Sequence, residues 1–107
     1  MSNLITINAK YGKGKIFINA SEELGSSIAI FGEDGKGGLL IGAYDERNVI
    51  HLSDKDKGGV FLGTSLPNNE IIISDRYGND RVHLVSGENA DGVIVLDKSG
   101  QVRGSIP

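Results

Sequence analysis

The sequence predicts an all-β protein built from five repeated β-hairpin units of about 22 residues, and three observations lead to that class. An apolar–turn–apolar unit begins near Ile5, Ile28, Val49, Ile71 and Val93. Within each half of a unit the apolar residues recur with a period of two, and in four units a polar run with a glycine separates the halves. Repetition at this period fixes the architecture before any local signal is considered.

The first observation is the regularity of the apolar positions. When each unit's first residue is position zero, positions 0, 2, 11 and 13 hold Ile, Leu or Val in 18 of 20 cases. In order, the five units contribute Ile5, Ile7, Ile16 and Ile18; Ile28, Ile30, Leu39 and Ile41; Val49, His51, Val60 and Leu62; Ile71, Ile73, Val82 and Leu84; and Val93, Val95, Gly104 and Ile106. Residues two apart share one face of an extended chain, so each half predicts a short strand, ten in all.

The turns inside the units explain why the two halves pair as a hairpin. Position 7 is glycine in four units, Gly12, Gly35, Gly78 and Gly100, with Asp56 in the third. Asp, Asn or Ser early in the turn followed by glycine at a left-handed position is a common way to close a hairpin of three to five residues. The sequence therefore predicts five antiparallel hairpins.

The links between units are too short for a helix, which favours antiparallel pairing between units as well. A solenoid is the alternative, because a coil of about 22 residues could stack each strand in parallel on its counterpart one repeat later. The glycine-bearing turns favour the hairpin. The predicted architecture is thus a stacked, rolled or solenoid-like sheet of 107 residues in one domain, which oligomerisation would complete.

The second face of the strands is also apolar. Nearly continuous apolar runs occur at 28–31, 49–52, 71–73 and 93–96, whereas burial on one side alone would alternate. Such runs predict that both faces are covered, as in a sandwich, a rolled sheet or strands enclosed by partner chains. The first unit differs because Thr6 and Asn8 flank Ile7, which is typical of a capping repeat.

Composition excludes several classes of function. The net charge is −3 and the 11 basic residues are interleaved with 14 acidic ones, so the basic stripe that nucleic acids require is missing. The sequence contains no cysteine, so it offers no disulfide and no thiolate site for a metal. We also expect no cofactor, signal peptide or membrane-spanning segment. The location is therefore cytoplasmic by default, or within a larger assembly.

The residues usually recruited for chemistry do not follow the repeat. His51 takes a core-face position in the third unit and His83 lies on the opposite face in the fourth, so a catalytic or metal-binding pair is not expected. The acidic turn at Glu33 and Asp34 could suggest calcium, but Lys36 stands among its carboxylates. The sequence therefore predicts no enzyme and no metal site, and leaves the role of His51 open.

The tyrosines give the best sequence signal for binding. Tyr11 and Tyr77 share position 6 on two hairpin tips, where exposed rings could stack against sugars or contact a protein. With Tyr44 and His83 they form the candidate binding set. A small carbohydrate- or ligand-binding β-module is therefore the alternative function.

A sequence pattern of Ile-x-Ile, then Asp-x-x-Gly, then Arg-x-x-Leu is clearest in residues 71–84 and 93–106. It resembles the β-hairpin repeats of bacterial and phage proteins of mostly unassigned function. The resemblance implies an elongated β-structure assembled from several chains and carries over no catalytic residue. With the second apolar face, it predicts a structural or protein-interaction module that forms a homo-oligomer, a dimer or a trimer, and that has a protein or glycan partner.

Overall fold

The computed structural model describes residues 2–54, 56–65, 68–88 and 91–107, and all regular structure in them is β-strand. Ten strands form one sheet in chain order, and every neighbouring pair is antiparallel. They are β1 Ser2–Asn8, β2 Lys15–Ser21, β3 Gly25–Phe31, β4 Gly38–Ala43, β5 Arg47–Ser53, β6 Gly59–Ser65, β7 Asn68–Ser74, β8 Asp80–Gly87, β9 Asp91–Leu96 and β10 Val102–Ile106. The all-β class and the antiparallel pairing are confirmed, and the described strands lack the parallel pairing of a solenoid.

The sheet is a single open layer. The Cα trace measures 46 × 31 × 14 Å, and nine spacings of about 4.8 Å between ten adjacent strands account for ~43 Å of the longest dimension. β1 and β10 therefore lie at opposite edges of the sheet, which neither closes on itself nor folds into two layers. The sandwich and the rolled sheet that the apolar runs predicted are therefore wrong for the single chain, and enclosure by partner chains stays a prediction.

The turns within the hairpins have the predicted backbone conformation. Gly12, Gly35, Gly78 and Gly100 all have positive φ, between 74° and 86°. A side chain is strained at such angles, which explains why glycine recurs at this position of the unit.

An aspartate closes each of the last three hairpin turns. Oδ1 of Asp75 accepts hydrogen bonds from the backbone N–H groups of Tyr77 and Asn79 at 2.9 and 3.1 Å. Asp54 and Asp97 accept the same pair of bonds, from the residues two and four positions later. A carboxylate that satisfies two turn N–H groups holds the turn without help from a neighbouring strand.

The register of the third hairpin corrects the sequence alignment. Ile41 pairs with Ile50, and Leu39 pairs with Leu52, so Ile50 and Leu52 continue the apolar positions of the other units. Val49 and His51 therefore point to the other side of the sheet. With this correction 19 of the 20 repeat positions are Ile, Leu or Val, and the exception is Gly104.

A shorter connection inside the third hairpin causes this difference. Five residues, 54–58, join its paired strands, whereas six residues, 9–14 and 32–37, join those of the first two hairpins, and the last two hairpins add a β-bulge. In the fourth hairpin Ile73 pairs with Val82 and Ser74 with Asp80, which leaves Arg81 as an extra residue. Arg103 is the extra residue of the fifth hairpin. The pairing of β5 with β6 continues without a shift, so the third unit is one residue shorter inside the motif. A one-residue change in register moves every side chain to the other face.

Candidate interaction surface

Two continuous rows of apolar side chains cross one face of the sheet, which we call the apolar face. The strand register aligns one residue from each strand in each row. The first row is Ile5, Ile18, Ile28, Ile41, Ile50, Leu62, Ile71, Leu84, Val93 and Ile106. The second row is Ile7, Ile16, Ile30, Leu39, Leu52, Val60, Ile73, Val82, Val95 and Gly104. The predicted repeat positions therefore form one contiguous surface.

A third row on the same face is small and polar. It runs beside the first row from β1 to β9 and consists of Asn3, Ala20, Ser26, Ala43, Asn48, Thr64, Asn69, Ser86 and Asp91. Asp91 is the only charged residue in the three rows. This polar row borders the apolar rows on the side of the links between units, so the face has an apolar centre and a polar rim.

The apolar face is open to solvent in the single chain. Twelve of the nineteen Ile, Leu and Val side chains in the two apolar rows are exposed, among them Ile50 at 40% and Leu52 at 46%. A trough of about 1200 Å³ opens on this face and is lined by the first row from β2 to β9. Contiguous exposed apolar patches larger than a few hundred Å² on soluble proteins mark interaction sites.

The opposite face is partly covered by its own aromatic side chains. The Tyr44 ring occupies the space where a side chain at Gly42 would lie, and the Phe61 ring does the same at Gly63. Val49 pairs with both glycines and is only 7% exposed, the one buried apolar residue in the described part of the chain. Because these aromatic rings pack over neighbouring glycines, the opposite face exposes less apolar surface than the apolar face does.

The tyrosines of the candidate binding set lie far apart. Tyr11 and Tyr77 are 80% and 68% exposed, on hairpin turns separated by six strands, a distance of about 29 Å. Each ring has a cation beside it, Lys10 at 5.3 Å and Arg76 at 5.1 Å. Tyr44 lies at the other end of the strands, after β4, and contacts Arg47. The fold does not bring the three tyrosines into one cleft.

Both histidines lie on the opposite face, which corrects the prediction that they point to different sides. His51 and His83 belong to one cross-strand row but are three strands, or about 14 Å, apart. Nε2 of His83 lies 3.5 Å from Oε1 of Glu70, while His51 packs edge-on against Phe61. The two imidazoles share no carboxylate, and the described residues contain no group of three or more potential metal ligands.

The turn carboxylates are the groups with a shifted pKa. The N–H of Lys36 lowers the pKa of Asp34, and the hydroxyl of Ser99 with the N–H of Gln101 lowers that of Asp97. Desolvation opposes the change at Asp75, but hydrogen bonds from Asn79, Tyr77 and Arg81 outweigh it and lower the pKa. These pKa shifts come from a turn geometry that is repeated in the hairpin turns at one end of the strands, so they indicate structural carboxylates.

Sequence reasoning identified the apolar positions but not the surface that they form. The period of two in the sequence identified most residues of the two rows. The members from the third unit could be assigned only from the pairing of β4 with β5. The available signal was the spacing between the two halves of a unit, because Ile50 and Val60 are ten residues apart whereas the corresponding residues of the other units are eleven apart. One residue fewer inside the motif predicts the shift that places Ile50 and Leu52 in the rows.

Comparisons with protein-family models, curated proteins and solved structures found no match to this chain. The resemblance to bacterial and phage hairpin repeats therefore stays a prediction. The described part of the chain contains no helix that could span a membrane.

Proposed function

We propose that this chain is a non-enzymatic structural or protein-interaction module, built from β-hairpin repeats, that acts by self-assembly. The observation that carries the proposal is an excess of exposed surface. The chain exposes 7834 Å², whereas a folded monomer of 11.3 kDa exposes about 5,700 Å². The excess of ~2,100 Å² per chain is the size of surface that obligate partners cover.

The small amount of apolar surface that a single chain buries on folding supports the same function. A sheet must bury one face against another layer to offset the conformational entropy lost on folding. Val49 is the only buried apolar residue that the described ranges contain, so a single chain obtains little of this stabilisation. Association supplies the missing layer, and it makes the fold and the assembly one process.

Light scattering coupled to size-exclusion chromatography at micromolar concentration tests the proposal. We expect a discrete mass at a small multiple of 11.3 kDa, two or three chains. A folded, monodisperse species at 11.3 kDa would contradict self-assembly. Circular dichroism of the same fractions shows whether each species retains β-structure.

A small carbohydrate-binding module is the second candidate, and the exposure of Tyr11 and Tyr77 favours it. Both rings lie on hairpin turns, where they remain accessible when a face of the sheet is covered. A glycan array with the wild type and Tyr77→Ala tests this function. Selective binding that the substitution abolishes supports it, and uniform absence of binding contradicts it.

A further inference from the structure

We infer that the occupant of the apolar face is a second copy of this chain, packed face to face as a two-layer β-sandwich. This inference rests on the proposed self-assembly and adds which surface associates, with what partner, and in what number. It concerns the two apolar rows and the polar row beside them.

Area is the first reason for a second copy. If each of two chains covers its excess of about 2,100 Å², the dimer buries ~4,200 Å² in total, within the range of obligate homodimers. The rows span the full width of the 46 Å sheet. A single helix laid across the face would leave much of this surface exposed, whereas a second sheet of the same dimensions covers it.

Charge is the second reason, and it selects the face. None of the twenty residues in the two apolar rows is charged, so a copy placed on them meets neither like-charge repulsion nor an unpaired buried charge. The opposite face holds Glu70, His51 and His83. Burying that face against its own copy would desolvate these groups, which makes it the poorer interface.

The distribution of polarity is the third reason. Protein interfaces combine an apolar centre with a polar rim, and the apolar face has this order from the two apolar rows to the polar row. Two twisted sheets pack with their strands about 30° apart and their side chains interdigitated. In such a sandwich the Ile and Leu side chains of one copy enter the trough of the other, and the polar side chains remain at the margin. The contact is isologous, so it closes at two chains.

Neighbouring residues in β5 provide a matched test because they point to opposite faces. Ile50 and His51 are both exposed in the single chain. We expect Ile50→Asp to abolish the dimer, with loss of the dimer mass and unfolding at micromolar concentration, because it places a charge in the centre of the interface. His51→Asp is the control and should retain both the dimer mass and the β-structure. A dimer that survives Ile50→Asp would overturn the inference.

A labelling experiment covers the case in which Ile50→Asp simply fails to fold. The chain has no cysteine, so Ile50→Cys and His51→Cys each introduce one reporter thiol into native protein. We expect the thiol at position 50 to react with a maleimide at least tenfold more slowly than the thiol at position 51. Equal rates, or slower reaction at position 51, would overturn the inference.

The mass of the labelled proteins separates the two proposals. A multimer whose position 50 is freely reactive contradicts the apolar-face dimer but leaves self-assembly standing. A trimer with position 50 protected contradicts the two-chain sandwich in the same way. A monomer with position 50 protected contradicts both proposals, because the chain must then cover its own apolar face.

Discussion

At the residue scale, the hairpin turns depend on two residue types with distinct physical roles. Glycine supplies a backbone conformation that other residues adopt at a cost, as at Gly78 with φ 86°. Aspartate supplies the acceptor for turn N–H groups, as at Asp75. Neither role needs a buried core, which suits a chain whose strands lie in a single layer.

We predict that Gly78→Ala destabilises the fold, because alanine must adopt a positive φ. The expected loss in the free energy of unfolding is about 1 kcal/mol. Gly14→Ala is the control, since Gly14 is not among the glycines with positive φ and an added Cβ there meets only ordinary contacts, 3.6 Å from Ala9 and 3.7 Å from the carbonyl oxygen of Phe31. Urea unfolding followed by circular dichroism measures both, and equal stability of Gly78→Ala and wild type would contradict the turn geometry.

We predict that Asp75→Asn reduces the loss of stability in acid. The pKa of Asp75 in the folded chain is below its ordinary value of 3.8. A lowered folded pKa stabilises the native state above the unfolded pKa, and the contribution is lost as pH falls through the folded pKa. The wild type should therefore lose stability below about pH 4 more steeply than the variant.

Urea unfolding between pH 6 and pH 2.5 measures that difference. Asp45→Asn is the control, because Asp45 lies in the link between β4 and β5. The substitution therefore removes one carboxylate without removing a hairpin-turn acceptor. Parallel pH profiles for wild type and Asp75→Asn would show that the turn hydrogen bonds do not stabilise the native state.

At the element scale, a bulge residue sets the register in each of the last two hairpins, and in the fourth hairpin it also joins that hairpin to the next one. Nε of Arg81 donates to the carbonyl oxygen of Leu96 at 2.9 Å, and its guanidinium lies 3.4 Å from Asp75. One side chain thus connects the turn before β8 to the end of β9. Arg103 occupies the corresponding bulge in β10, the last strand of the sheet.

We predict that Arg81→Ala lowers the free energy of unfolding by about 1 kcal/mol, the usual value of such a hydrogen bond. Arg81→Lys should restore little of it, because an ammonium group does not reproduce the guanidinium geometry. Arg103→Ala should cost less, since no strand follows β10 in the described sheet. Chemical denaturation of the three variants measures their free energies of unfolding. An equal loss of stability for Arg81→Ala and Arg103→Ala would contradict the inter-hairpin role of Arg81.

The elements show how far the sequence could be read. Ile at positions two apart predicts strands, and glycine at the turn predicts hairpins, because both signals are local. The register of β5 could not be read from the apolar pattern, since Val49 and Ile50 are equally apolar and only the shorter connection inside the third unit distinguishes them. The faces of His51 and Val49 were therefore assigned wrongly. The candidate surface needed the full register, because it combines residues from all ten strands.

At the scale of the whole molecule, an apolar strand is not by itself a sign of a closed fold. The radius of gyration is 16.2 Å, against about 13 Å for a compact chain of this length. The continuous apolar runs predicted two covered faces, but this chain places all ten strands in one layer. Under the proposed self-assembly the second layer comes from another chain, so assembly and stability should depend on concentration together.

The dependence of unfolding on protein concentration tests this claim most directly. For a folded dimer and unfolded monomers, a tenfold increase in concentration adds about 1.4 kcal/mol to the apparent stability, which raises the urea midpoint by ~0.5 M for a typical urea dependence. We therefore expect midpoints measured by circular dichroism at 1, 10 and 100 µM to rise by about this step each time. A midpoint that stays constant over this range would show that the chain is stable alone and would contradict the proposed assembly.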